Sequence, residues 1–355
     1  MKKNRVAIVL VILLGSLSFW YINHNHNGTL ANEMKDFAVQ DTASITKIFL
    51  VDKNARAVTL ERVPGSPKWT VDGQYGARMD AIQTLLETIR RIDVKEPVGK
   101  RALSNVIKGI ASKAIKCEIY QNGKLSKAYY VGTETADYTG TYMVMIDPET
   151  MEAMEKPFVT YIPGFEGYLT TRYFTEEKGW RDRSMFMYNP NDIRKVRMEI
   201  PTHPEFGYEV TVKGNNDYEI RMIGDGKLVT GVDPMAVKQY LSYFQSLSFE
   251  SFEVDLKPSQ IDSVERSTPI NILSVTDKDG KVNKVKFFAR KPKNQLYDSK
   301  GVEIKYDQER MNALLNNGKD FVLTQFYMFG KVMPTVDYFQ QGKAAKPKMA
   351  TQPNS

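Results

Sequence analysis

Two stretches of this chain present the same succession of elements, and that doubling limits the folds open to it more than any single motif. In the first, Ile45 to Val51 and Ala57 to Arg62 alternate apolar and polar residues as a hairpin does. Trp69-Thr70-Val71-Asp72-Gly73 follows as a short strand and turn. From Arg78 to Arg91, the residues Met79, Ile82, Leu85, Leu86 and Ile89 recur at helical spacing, and Pro97 closes the strand-like exit Ile92-Asp93-Val94. A second helix is expected over Ala102 to Ala114. Asn122-Gly123 then stands between Ile115–Tyr120 and Leu125–Val131, and both turn residues tolerate the positive φ of a type I′ hairpin. Tyr142 to Ile146 is another strand.

The second stretch repeats the order. Ile193 to Ile200, Tyr208 to Val212 and Tyr218 to Ile223 alternate like strands. Asp233-Pro234 opens a helix with a capping side chain and a proline at the first helical position, and Val237, Tyr240, Leu241, Phe244 and Leu247 form its apolar face. Phe252 to Pro258 matches the strand and proline of the first half, and Asp279-Gly280 joins Ile270–Val275 to Val282–Phe288. Asn122 stands 44 residues after Arg78, and Asp279 stands 46 after Asp233. The pattern predicts an α+β fold of two similar halves, each an antiparallel sheet with helices, related by an internal duplication of roughly 150 residues. A helix from Tyr306 to Leu315 and a last strand, Phe321 to Phe326, complete the expected elements.

Ahead of both halves lies a segment of another kind. Lys2, Lys3 and Arg5 form a cationic head, and Val6 to Ile22 runs apolar, ending in Trp20-Tyr21. Seventeen helical residues span roughly 26 Å, near the thickness of a hydrocarbon core. No small-residue cleavage site follows, and the aromatic pair suits an outer interface. The segment therefore reads as an N-terminal transmembrane helix that places the body outside the cytoplasm, with a cleaved export signal as the alternative. With the only cysteine at Cys117, a lipid-modified N-terminus is excluded.

Divided along these lines, the chain has an anchor over 1–22, a polar tether over 23–40, a first half over 41–160, a connector over 161–190, a second half over 191–330 and a tail over 331–355. From Gly342 on, Lys, Pro, Gln and Ala dominate, a composition that does not build a core. The net charge of +7 sits at the ends: three cations in the head and three in the tail (Lys343, Lys346, Lys348) leave a body near neutrality. A nucleic-acid binder concentrates charge on a folded face, so nucleic acid is not expected as a partner.

The connector has neither helical nor strand periodicity. Between Tyr161 and Arg183 it carries six aromatics and three arginines, the residue types that dominate binding hot spots. Tyr168, Arg172, Tyr173, Phe174, Trp180, Arg181 and Arg183 are thus candidate binding residues on a loop. The competing reading has the same aromatics stapling the halves together, and both readings can hold in part.

Catalytic signals are sparse. His203 lies in Pro201-Thr202-His203-Pro204, a turn context. His24 and His26 make an H-x-H pair in the tether, too few ligands for a metal site. Cys117 falls in an alternating strand pattern and reads as a small buried hydrophobe. Asp277-Lys278-Asp279-Gly280 has part of a calcium-loop spacing, but Val275 and Lys286 occupy the positions of its first and closing acids. No catalytic residue, metal site or cofactor is assigned.

The stretches Asp41-Thr42-Ala43-Ser44-Ile45-Thr46-Lys47-Ile48-Phe49-Leu50, Val58 to Arg62, Trp69, Asp80 to Ile89, Tyr130-Val131-Gly132, and Gly167-Tyr168-Leu169-Thr170 through Trp180-Arg181-Asp182-Arg183 resemble a family of bacterial envelope proteins with a domain of unknown function. The family is common in Bacteroidota, and the resemblance covers most of residues 35 to 330. It implies an association with ABC transporters of the gliding-motility type, without catalytic residues to carry over. It also implies a candidate O-glycosylation acceptor at Thr42, within Asp41-Thr42-Ala43. The resulting expectation is a single-pass inner-membrane protein with its body in the periplasm, serving as a binding or assembly accessory of an envelope complex. A structural scaffold and an envelope hydrolase using paired carboxylates are the alternatives.

Overall fold

The hairpins and helices read from periodicity take their places in a computed structural model that describes residues 35–253, 256–297, 299–315, 318 and 320–340. The expected anchor, His24, His26 and residues 341–355 lie outside these. No helix among the described residues is long and apolar enough to cross a membrane. The chain divides between Asp182 and Arg183 into two compact units.

Unit 1 runs β1 (Ile45–Val51), β2 (Ala57–Arg62), β3 (Trp69–Val71), β4 (Tyr75–Gly76), α1 (Met79–Arg91), β5 (Asp93–Pro97), α2 (Lys100–Lys113), β6 (Ile115–Gln121), β7 (Lys124–Glu134), β8 (Thr141–Ile146), β9 (Phe158–Tyr161) and α3 (Glu177–Trp180). Its nine strands form one antiparallel sheet in the order β4-β3-β2-β1-β6-β7-β8-β9-β5. Asn122 and Gly123 have φ of 50° and 80°, the left-handed pair that a two-residue hairpin needs.

Side-chain alternation sorts the sheet into two faces. Ile48, Leu50, Leu60, Ile119, Tyr129, Met143 and Met145 point into the main core. There they meet Ala81, Ile82, Leu85 and Ile89, the apolar stripe of α1. Asp80 in the first turn of α1 and Arg90 and Arg91 in its last complement the helix dipole. On the opposite face, Val106 and Ile110 of α2 cover Tyr130, Tyr142 and Val144.

Unit 2 runs β10 (Ser184–Phe186), β11 (Ile193–Glu199), β12 (Tyr208–Gly214), β13 (Asp217–Met222), α4 (Pro234–Ser242), β14 (Leu247–Ser248), β15 (Ser251–Phe252), α5 (Pro258–Glu265), β16 (Asn271–Asp277), β17 (Val282–Ala289), β18 (Arg310–Leu314), β19 (Phe321–Gln325) and α6 (Phe326–Phe329). β10 pairs with β14, and the other eight strands form an antiparallel sheet in the order β13-β12-β11-β16-β17-β18-β19-β15. With the edge strand β4 set aside, this is the strand order of unit 1, element for element. The Asp233 carboxylate caps α4 by accepting from the Met235 N–H at 2.9 Å. Val237, Tyr240, Leu241, Phe244 and Leu247 are all buried, although the helix stops at Ser242 and the last two belong to a 3₁₀ turn and to β14.

Three expectations are corrected. The segment expected as a helix from Tyr306 to Leu315 contains strand β18, because Met311, Asn312 and Ala313 are buried between β17 and β19 and their backbone groups complete both ladders. The tether does not extend to residue 40: Phe37 lies against Tyr129 and Phe158 in the core, and the Val39 N–H donates to the Ile89 carbonyl at 3.0 Å. The tail does not begin at 331, since Val332, Met333, Tyr338 and Phe339 are buried in the core of unit 2.

Candidate functional site

After its last strand, each unit runs into a coil rich in aromatics that closes its core. In unit 1 that coil is the connector of the sequence: Ile162, Leu169, Tyr173 and Trp180 are buried among the residues of α1 and the sheet. In unit 2 the same task falls to Phe326, Phe329, Val332, Tyr338 and Phe339. The compositional oddity of residues 161–183 thus follows from their place in the fold.

The seven candidate binding residues separate accordingly. Trp180 has no exposed surface; its indole N–H donates to the Phe174 carbonyl at 2.8 Å, and the Phe174 ring stacks on it at 4.0 Å. Tyr173 is buried, its hydroxyl 3.1 Å from that of Tyr129. Arg181 is buried with its guanidinium 3.6 Å over the Tyr75 ring and an ion pair to Glu177. Arg183 belongs to unit 2 and donates to the Glu250 carbonyl at 2.8 Å. These five, Phe174 included, hold their units together.

Tyr168 and Arg172 remain at the surface of unit 1, and the structure gives them neighbours. The Arg172 guanidinium lies 4.3 Å over the ring of Phe165 while donating to the Thr88 hydroxyl on α1 at 2.9 Å. The Tyr168 ring is 6.1 Å from that of Tyr138, which stands at the tip of the β7–β8 turn and is 60% exposed. Phe165 is 37% exposed. Two supports fix this arrangement. The Leu169 N–H donates to the Thr141 hydroxyl at 2.7 Å and the Thr170 hydroxyl to the Gly132 carbonyl at 2.9 Å, pinning the coil to β7 and β8. Tyr138 sits at φ 58°, a left-handed conformation uncommon for a bulky side chain. The turn that holds it there is tied by the hydroxyls of Thr135 and Thr139 donating to the Asp137 carboxylate. Those donors hold the Asp137 carboxyl well below the usual carboxylate range, so the turn keeps its geometry in mild acid.

Sequence reasoning missed Phe165 as a site residue and missed Tyr138 altogether. Thr135-Ala136-Asp137-Tyr138-Thr139-Gly140 is a polar turn with one large aromatic at its tip, and that was the available signal.

The other candidates take modest places. Cys117 is fully buried, and burial pushes its thiol up to about 12, which leaves it without thiolate at neutral pH. His203 precedes an exposed 3₁₀ turn with its Nδ1 3.3 Å from Glu205. Asp277 ties its own hairpin turn by accepting from the N–H groups of Asp279 and Lys281. Thr42 lies half-buried in a 3₁₀ turn that Asp41 caps. Among the described residues, every Asp or Glu with a displaced pKa is displaced downward, by hydrogen bonds and cations that outweigh any burial. No group of three or more His, Cys, Asp or Glu among them lies close enough to hold a metal ion.

No protein-family model, no curated protein and no solved structure matches the chain.

Proposed function

We propose that this chain is an extracytoplasmic binding accessory of a cell-envelope complex, held to the inner membrane by residues 6–22 and contacting its surroundings through the aromatic end of unit 1. The observation that carries the reading is the exposure of Phe165 and Tyr138, each backed by a partner (Arg172 and Tyr168) in a coil that hydrogen bonds tie to β7 and β8. Aromatic side chains presented in this way contribute contact area at low entropic cost, which suits recognition. An ABC transporter of the gliding-motility type is the complex that the family resemblance favours, and the shared strand order of the two units supports their origin by duplication.

The test is mild-detergent purification of the full-length protein, with mass spectrometry of its companions. The double variant Phe165→Ser, Tyr138→Ser is expected to lose those companions while staying folded, at a cost of about 1–2 kcal/mol for the lost ring contacts with Arg172 and Tyr168. Companions retained at wild-type stoichiometry by the double variant would sink the surface as the contact site.

A further inference from the structure

The coil that carries Phe165 borders a cleft at the aromatic end of unit 1. Lys35, the first described residue, lines this cleft of about 370 Å³ together with Arg90, Arg91 and Pro163. Arg91 donates to the Pro163 carbonyl at 2.9 Å, and Phe165 follows two residues on. From Ile22 to Lys35 the chain reaches at most roughly 45 Å even when fully extended.

Resting on the anchored reading above, we propose that this end of unit 1 seats on the headgroup layer of the anchoring bilayer, with Phe165 and Tyr138 entering the interface. A short leash keeps the surface close to the membrane at high effective concentration, so a weak apolar contact is enough to hold it there. Aromatic rings favour the headgroup level of a bilayer, and these two stand outward from a turn tied by Asp137 and from a coil pinned to β7 and β8. Charge plays little part. The exposed cations Lys35, Arg90, Arg91 and Lys95 of this end are matched by the exposed carboxylates of Glu87, Asp93, Asp137 and Glu166. The contact is therefore insensitive to ionic strength and to the anionic lipid content of the membrane.

The experiment uses the full chain reconstituted into vesicles of phosphatidylcholine alone, and of phosphatidylethanolamine with phosphatidylglycerol. A polarity-sensitive fluorophore is attached at Glu166→Cys, beside Phe165, or at Lys124→Cys, next to the hairpin turn at the opposite end of β7; the sealed Cys117 needs no replacement. The expected result is several-fold weaker iodide quenching at 166 than at 124, in both lipids and at both low and high salt. Adding Phe165→Ser and Tyr138→Ser should restore quenching at 166. Equal quenching at the two positions in protein that floats with the vesicles overturns the seating and leaves the anchor standing. Protein that does not float with the vesicles overturns the anchor and the seating together. Loss of companions in the Phe165→Ser, Tyr138→Ser variant alongside equal quenching assigns the surface to a protein contact instead.

Discussion

At Gly179 an added Cβ would stand 2.8 Å from the Phe174 ring, which is itself stacked on the buried Trp180. Stacking on Trp180 holds the Phe174 ring over this position, so Gly179→Ala is expected to cost about 1–3 kcal/mol of stability through overpacking. Trp180→Ala should cost about 3–5 kcal/mol. Urea unfolding of both variants checks the ranking, and a Trp180→Ala protein as stable as wild type would contradict the burial described for it. Gly132 answers to the same logic from the backbone side. Its Cβ would meet the Tyr142 carbonyl at 2.7 Å, across the irregular register between β7 and β8.

Cys117, Tyr129 and Tyr173 make a buried set with a consequence for alkaline stability. Burial pushes the Cys117 thiol up from 9.0 to about 12 and raises both phenols. The unfolded chain releases these protons first as pH rises, and the folded chain retains them. Stability is therefore full below about pH 9 and falls above it, by about 1.4 kcal/mol per pH unit for the thiol, with the phenols adding to the loss only above about pH 10. A denaturation midpoint that stays level between about pH 9 and 11 would mean that water reaches the cluster.

Among the elements, those bounded by strong local chemistry were legible in the sequence. β1 and β2 follow from alternation, the β6–β7 hairpin from Asn122-Gly123, and α4 from Asp233-Pro234. Asp233→Ala, which removes the capping carboxylate, is expected to cost about 1 kcal/mol, and Asp233→Asn much less. Thermal unfolding of the pair checks this, and equal losses would assign Asp233 a role other than capping. β18 was not legible, because Met311, Leu314 and Leu315 fall at helical spacing by chance. What makes the segment a strand is pairing on both sides, and pairing with β17 and β19 is a long-range fact that no local window contains. The two aromatic coils were legible only in part for a related reason. One carried a binding and a stapling reading side by side, the other fell partly in an expected tail, and each closes the core of its unit. Tyr138 came beside Tyr168, and Phe165 beside Arg172, only when β7, β8 and the coil came together.

For the whole molecule, each main core draws on its own unit alone: residues from Phe37 to Trp180 in one, and from Met185 to Phe339 in the other. A fragment of residues 35–182 is expected to fold cooperatively by itself. A single sharp denaturant transition with dispersed amide resonances would confirm this, and a fragment that stays unfolded would refute it.

The strand order also carries a timetable. In both units the edge strand β5 or β15 comes from the middle of the sequence and pairs only with the last strand, β9 or β19. While the chain emerges from ribosome or translocon, β5 waits without its ladder until β9 arrives to slot between it and β8, and β15 waits likewise for β19. Each sheet closes from within, by its final strand. A chain stalled before Phe158 would leave unit 1 with an open seam beside β8, and one stalled before Phe321 would leave unit 2 with the same seam beside β18. Quality-control proteases and chaperones recognise such unpaired edges.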